Sequence, residues 1–329
     1  MCIRDRVTGA SGFVGQNLIA ELLIKKFSVK ALLLPDEKDK WDKAVEVIHG
    51  DIQHIDTLYP AVRDIDLVFH LAAVKGVFNN KLYQDINING TKNLVDAIKK
   101  VNPNLRRLIF LSSQSATGPC SKNKMLTEND SCNPIDSYGR SKLESEKFLV
   151  NQTDLPFTIL RISPIYGPGN NSLSGADVLY RMTRHKIFLS ISPGERYLQM
   201  IHIRDAINAI MMVGESEATS NDIYFITTNE ICSWRNMGLK YLQAQNLNGI
   251  VLPVNVIVLR FVVLSIKSYR YFKGLSNQGL DEMADYFFQR YWLCSPKKAK
   301  KDFGFEAKIS LDEGILDLVQ WYKGRENHS

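Results

Sequence analysis

Short apolar runs alternate with longer apolar-periodic stretches through the first half of this 329-residue chain. Leu18, Ile19, Leu22 and Leu23 recur at the spacing of one helix face and predict a helix over Leu18–Lys26, after which Val29–Leu34 reads as a strand. Val45–His49, Leu67–Leu71 and Arg107–Leu111 read as further strands, the last closing on Ser112 and Ser113. Leu94, Val95 and Ile98 mark a helix before that last strand. Strand and helix thus alternate four times, which predicts parallel strands joined by right-handed helical crossovers: an α/β fold of the Rossmann type, a doubly wound parallel sheet. Ligands of such sheets sit at the carboxyl ends of the strands.

The turn before the first helix, Val7-Thr-Gly-Ala-Ser-Gly-Phe-Val-Gly15, has the spacing of a dinucleotide cradle. Gly9 allows a sharp turn, Gly12 a close backbone approach to a pyrophosphate, and Gly15 close packing of the new helix. The helix N-terminus then offers free N–H donors and the positive end of its dipole. Past the second strand, Asp36 suits ribose hydroxyls, whereas Lys38 and Lys40 suit a 2′-phosphate, so NAD and NADP both stay open. Asp51, after Gly50, either accepts from an adenine amino group or caps the next turn, with Ile52 covering the ring in the first case. Ala72 and Ala73, after Leu71, keep a strand end small where a ligand would approach.

The totals narrow the class. Apolar content of 45% and charged content of 23% suit a globular protein long enough for one large domain and a smaller lobe. The net charge of +6 is scattered apart from Lys297–Lys301, which reads as a solvated helix face, so no nucleic-acid partner is expected. Cys2, Cys120, Cys132, Cys232 and Cys294 show no paired spacing, and neither they nor the six histidines suggest a metal site; reduced thiols in a cytoplasmic setting are expected. Ile250–Ile266 is strongly apolar but broken by Pro253, Asn255 and Arg260, which predicts a buried or groove-lining helix, with peripheral membrane contact as the lesser alternative and no integral membrane segment. Arg4, Asp5 and Arg6 occupy what should be a buried apolar first strand, and residues 1–6 are expected to be a foreign junction.

Chemistry enters at Tyr138-Gly-Arg-Ser-Lys142. Residues four apart on a helix share a face, so a phenol and an ammonium can point into one cleft, and the cation is expected to draw the tyrosine pKa down toward working pH for general acid/base use.

These residues together resemble the extended short-chain dehydrogenase/reductase group, the NAD-dependent epimerase/dehydratase family. The likeness runs through Thr8–Gly15, Gly50-Asp-Ile52, His70–Ala73, Asn87-Ile-Asn-Gly-Thr91, Leu111-Ser-Ser113, Tyr138–Lys142, Arg161–Pro168 and His202–Asp205. The resemblance implies an NAD(P)-dependent enzyme with Ser113, rivalled by Ser112, holding the reacting oxygen, Tyr138 moving the proton, and Lys142 on the nicotinamide ribose. It implies cofactor contacts from Gly9, Ser11, Gly12, Phe13, Val14, Gly15, Asp51, Ile52, Leu71, Ala72 and Ala73. Asn87 would brace the site, and Ser163 and Ile165 would lie beside the nicotinamide. It divides the chain into a cofactor domain, 1–166 with returns near 197–213 and 222–228, and a substrate lobe from 167–196 and 229–329. The tail from Tyr291 to Trp321-Tyr322, a pair of amphipathic helices, is similar to the dihydroflavonol-reductase-like and 3β-hydroxysteroid-dehydrogenase-like branches. The expected function is hydride transfer at a C–OH/C=O centre of a small molecule. The alternatives are nucleotide-sugar epimerisation and a silent cofactor sensor. A homodimer through the helix of Tyr138 is also implied. Leu198 stands where sugar-nucleotide members carry a diphosphate-binding arginine, with Arg196 two residues away.

Overall fold

The side chains of Leu67–His70 and Phe157–Ile162 are buried on both faces, as strands sandwiched between helices must be. They belong to a computed structural model that describes residues 4–41, 44–76, 79–122, 124–169, 175–274 and 279–326. In chain order the elements are β1 Arg4–Thr8, α1 Phe13–Ile24, β2 Ser28–Leu33, β3 Glu46–His49, α2 Tyr59–Val62, β4 Leu67–His70, α3 Asn80–Leu82 and, after a wide π-type turn over Tyr83–Asn89, α4 Gly90–Val101. Then follow β5 Arg107–Ser113, α5 Ser137–Val150, β6 Phe157–Ile162, β7 Ile165–Tyr166, α6 Gly175–Arg184, β8 Ile187–Ser192, β9 Tyr197–Leu198, β10 Ile201–His202, α7 Ile203–Glu215 and β11 Asp222–Ile226. The chain ends in β12 Cys232–Ser233, α8 Trp234–Ala244, β13 Ile250–Asn255, α9 Val256–Phe272, α10 Leu280–Phe288, β14 Tyr291–Trp292, α11 Lys297–Phe303 and α12 Leu311–Glu326.

Seven of these strands form one parallel sheet in the order β11-β6-β5-β4-β1-β2-β3. The order reverses between β1 and β4, which makes the carboxyl ends of those two strands the switch point where a ligand cleft opens. One core lies on the face covered by α1 and α7, and a second on the face covered by α2 and α4. A third, separate core gathers Tyr166, Phe188, Tyr241, Ile315 and Leu318 among elements from the later part of the chain. Among the described residues no helix is long and apolar enough to cross a membrane.

Two sequence expectations meet this architecture differently. Arg4–Arg6 do form the start of the central strand, with Asp5 and Arg6 fully buried there, while Met1–Ile3 lie outside the described residues, as does Cys2. The expectation of one buried helix over Ile250–Ile266 is overturned. Its first residues are strand β13, Pro253 ends the run of helix-compatible positions, Asn255 caps the helix by accepting from the Ile257 N–H, and none of the residues of α9 is buried.

Candidate active site

The glycine turn is built as its spacing predicts. Gly9 adopts φ +68°, and a Cβ there would lie 2.7 Å from the Ala72 nitrogen, so the turn and the exit of β4 touch backbone to backbone. Gly12 caps α1 without a side-chain acceptor and no acidic residue occupies the first turn, leaving the positive helix end for an anion. Ser11 donates to the Glu37 carboxylate at 2.6 Å, and the same carboxylate takes the Leu34 N–H at 3.0 Å. Glu37 therefore holds the place beside the turn for which the sequence offered Asp36, Lys38 and Lys40, and all three of those are exposed. Nothing local distinguishes Glu37 from its charged neighbours in sequence.

Asp51 accepts from the Gln53 N–H at 2.9 Å, the capping alternative, and Ile52 is buried against Gly90. Leu71, Ala72, Ala73, Phe13, Val14 and Ile165 are all half-buried at or near the switch point. Ser163 is buried beneath Ile165, and its hydroxyl finds no partner among the described residues.

Of the three chemical residues, Ser113 and Tyr138 are brought together, and Lys142 lies one helical turn further on. Gly139 lies so close to the turn after β5 that a Cβ would stand 2.2 Å from the Ser115 carbonyl, and this approach carries the first turn of α5 up to Ser113. The Ser113 hydroxyl accepts the Ser115 N–H at 3.1 Å and stands near enough to the Tyr138 phenol to draw its pKa down. Ser112 points to the other side of the strand and donates to Glu146, which is itself paired with Arg161 at 2.7 Å. Its geometry separates the two serines: Ser113 faces the cleft and Ser112 a buried ion pair. One turn beyond Tyr138, the Lys142 ammonium is buried 4.4 Å from the centre of the Phe110 ring.

The electrostatics differ from expectation. Burial and the Asp136 carboxylate push the Tyr138 pKa up rather than down, with the nearby Ser113 hydroxyl the opposing influence. Burial lowers the Lys142 pKa to about 7, against the pull of Glu146. The spacing correctly places phenol and ammonium on one helix face, but in this low-dielectric cleft each favours its neutral form.

A polar relay ties this cleft to the glycine turn. The Ala72 N–H donates to Thr8 Oγ1, which lies 2.7 Å from His70 Nδ1; His70 Nε2 lies 2.9 Å from Thr91 Oγ1, and Thr91 donates to the Asn87 carbonyl at 2.6 Å. With Thr91 donating onward, His70 is the Nε2–H tautomer, and burial holds its pKa down to about 3, so it stays neutral. The Asn87 side chain clamps Val74, accepting from its N–H at 2.8 Å and donating to its carbonyl at 3.1 Å, and donates to Ser141 on α5 at 2.9 Å.

Two further residues escaped the sequence reading. Lys75 places its ammonium 5.4 Å from the centre of the Tyr138 ring. Glu282 of α10 accepts from the Ser137 N–H at 2.8 Å and from its hydroxyl at 2.6 Å and pairs with Arg140, so the later part of the chain holds the start of α5. Beside the cleft, Pro164, Ile191, Leu198, Trp234, Tyr286 and Phe287 line an apolar cavity. Arg196 also lines it, but its guanidinium donates to the carbonyls of Ile191, Gly194 and Phe287.

The model of the NAD dependent epimerase/dehydratase family matches residues 6–227 of this chain. The chain belongs to that family. The epimerase/dehydratase family is NAD-dependent, and its members are enzymes. Its relatives include a ketoreductase for 4-hydroxy-2-methyl-3-oxo-4-farnesyl-3,4-dihydroquinoline-1-oxide from Stigmatella aurantiaca, 21% identical over 97% of this chain and 96% of its own. The decarboxylating sterol-4-alpha-carboxylate 3-dehydrogenase of Mus musculus is 24% identical over 95% of this chain and 89% of its own. Among solved structures, MoeE5 in complex with UDP-glucuronic acid and NAD has the same fold, with a TM-score of 0.76 and 23% identity over 98% of this chain and 99% of that one.

Proposed function

We propose that this chain reduces a ketone, or oxidises the matching secondary alcohol, on a largely apolar small molecule, with NAD as the cofactor. The observation that carries it is the approach of Ser113 to the Tyr138 phenol beside an apolar cavity whose arginine is already committed to three backbone carbonyls. Gly9, Gly12, Gly15 and the start of α1 would hold the pyrophosphate, and the unpartnered Ser163 hydroxyl and Lys142 would meet the nicotinamide end. Bound there, the cofactor supplies or accepts hydride. Tyr138, with its pKa raised, stands as a protonated phenol and gives its proton to the carbonyl oxygen, while Ser113 donates to the same oxygen as charge develops on it. The raised pKa favours the reducing direction.

We give the substrate role to the lobe of residues 167–196 and 229–329, which supplies Ile191, Arg196, Trp234, Tyr286 and Phe287 to the cavity, and the cofactor role to the sheet domain. The relatives that act on a farnesylated quinoline and on a sterol carboxylate support an apolar substrate. A second reading, epimerisation of a nucleotide-linked sugar, rests on Arg196 lining the same cavity. The free thiols of Cys120, Cys132, Cys232 and Cys294 fit a reducing, cytoplasmic compartment, and α5 is the surface for a homodimer.

The test follows NADH fluorescence while ketones and UDP-sugars are added. Ketone-dependent NADH loss that falls about a hundredfold or more in Tyr138→Phe supports the reading. Turnover of UDP-sugars alone selects the epimerase, and NADH binding with turnover unchanged by Tyr138→Phe leaves only a sensor.

A further inference from the structure

Helix α9 is apolar on the side that faces away from the protein. Val258, Phe261, Val262, Tyr269 and Phe272 recur at three- and four-residue spacing, so they share one face, and all are exposed, Phe261 to 65% and Phe272 to 85%. The side turned inward is mixed: Val256, Leu259 and Val263 are half-buried there together with Lys267 and Arg270. Arg260 stacks 5.3 Å from the centre of the Phe288 ring, and Lys267 pairs with Asp281 at 2.6 Å, both partners lying on α10. A helix that is apolar on the side away from the protein as well as on the side toward it has the pattern of one covered on both sides.

The apolar surface continues into the strand that leads to α9. Parallel β8 and β13 pair Ile187 with Ile250 and Leu189 with Leu252, so these four side chains stand on one face of the two-stranded sheet, and all are exposed. Contiguous exposed apolar surface of this kind marks a docking site.

Charge identifies the occupant. From Ile250 to Leu280 the sequence holds no Asp or Glu, but it holds Arg260, Lys267, Arg270 and Lys273. Lys273, exposed, follows directly on Tyr271 and Phe272 at the helix end. Aromatic side chains beside a cation suit the headgroup level of a bilayer, and Lys273, exposed in a stretch without Asp or Glu, is attracted to anionic lipid. A second copy of this chain would bring the same positive patch against itself. At 17 residues, α9 spans about 25 Å, less than the ~30 Å hydrocarbon core, so it lies along the membrane rather than through it. We propose that the outer faces of α9 and of β8–β13 dock on an anionic lipid bilayer, making this a peripherally membrane-bound enzyme.

Flotation of the full chain with vesicles tests this. With phosphatidylcholine–phosphatidylglycerol vesicles at 3:1 the protein floats, and it floats at least tenfold less with phosphatidylcholine alone or when salt is raised from 0.05 to 0.5 M. The double variant Phe261→Ser/Phe272→Ser and the single variant Lys273→Glu each lose at least tenfold of that binding. Both alter only exposed positions, and unchanged circular dichroism and NADH binding show that they fold. Failure of the wild type to float overturns the proposal, as does flotation indifferent to the double substitution. A concentration-dependent dimer by sedimentation, lost in the double variant while vesicles remain unbound, assigns the face to a second copy instead.

Discussion

Asp5 places a carboxyl group in the middle of the sheet with no hydrogen-bond partner among the described residues. Both carboxylate oxygens and both terminal nitrogens of the adjacent Arg6 are buried without a partner among the described residues, although Arg6 Nε reaches the Ala61 carbonyl. Burial, reinforced by Asp66, raises the Asp5 pKa to about 7 from 3.8. The folded state therefore holds a proton that the unfolded chain has released, and stability falls as pH rises from about 4 to about 7, by on the order of 4 kcal/mol in all. Asp5→Asn should melt with the wild type at pH 4 and several degrees above it at pH 8; equal melting at pH 8 would refute a buried charge here. The misfit of these residues with a buried strand was legible in sequence, and so was the approach of Ser113 to Tyr138, because a strand end and the start of the following helix are local signals. The direction of the tyrosine pKa was not, since burial and the reach of Asp136 depend on the fold. Glu37 was hidden for the same reason. Its carboxylate beside Ser11 repels a 2′-phosphate, so Glu37→Ser should narrow the preference for NADH over NADPH at least tenfold in fluorescence titrations. An unchanged ratio would move the discrimination elsewhere.

At the scale of elements, β2, β4 and β5 were readable to within a residue or two because each is largely an apolar run buried between helices. The amphipathic pair α11 and α12 was equally plain. Helix α9 was not, because an apolar run shows that side chains leave water without showing what they enter. The turn over Tyr83–Asn89 was also hidden, and it matters most for the site. There Asn87 fastens the loop after β4 to α5 through Val74 and Ser141, and its carbonyl takes hydrogen bonds from Thr91 and Ser145. Truncating it leaves the Val74 N–H and carbonyl without their partner and removes the donor to the Ser141 hydroxyl. Asn87→Ala should cost on the order of 2–3 kcal/mol in denaturant unfolding. Because Ser141 donates to the Tyr138 carbonyl, turnover should also fall by more than the substrate KM changes. A loss of stability with turnover intact would make Asn87 purely structural.

Across the whole molecule, the cofactor cradle and the chemical residues come from the sheet, while α10 closes over the start of α5 through Glu282. That closure joins residues 145 positions apart and has no local signature, so the later lobe was foreseeable only through the family resemblance. The sheet's own contribution can be isolated at Gly12. A Cβ there meets only the Gly9 carbonyl, at 3.2 Å, so a side chain is accommodated with a small shift. An aspartate at this position caps α1 and faces the positive helix end, which should leave the ligand-free protein as stable as the wild type or up to ~1 kcal/mol more so. The same carboxylate repels a pyrophosphate. NADH at a hundredfold excess over its Kd should raise wild-type stability by about 2.7 kcal/mol, since it binds the folded state alone. In Gly12→Asp that NADH-induced shift in melting temperature should vanish while the unliganded melting temperature holds or rises. The opposite signs separate a lost cofactor site from a damaged fold, and a Gly12→Asp protein that responds to NADH as the wild type does would place the dinucleotide somewhere other than the glycine turn.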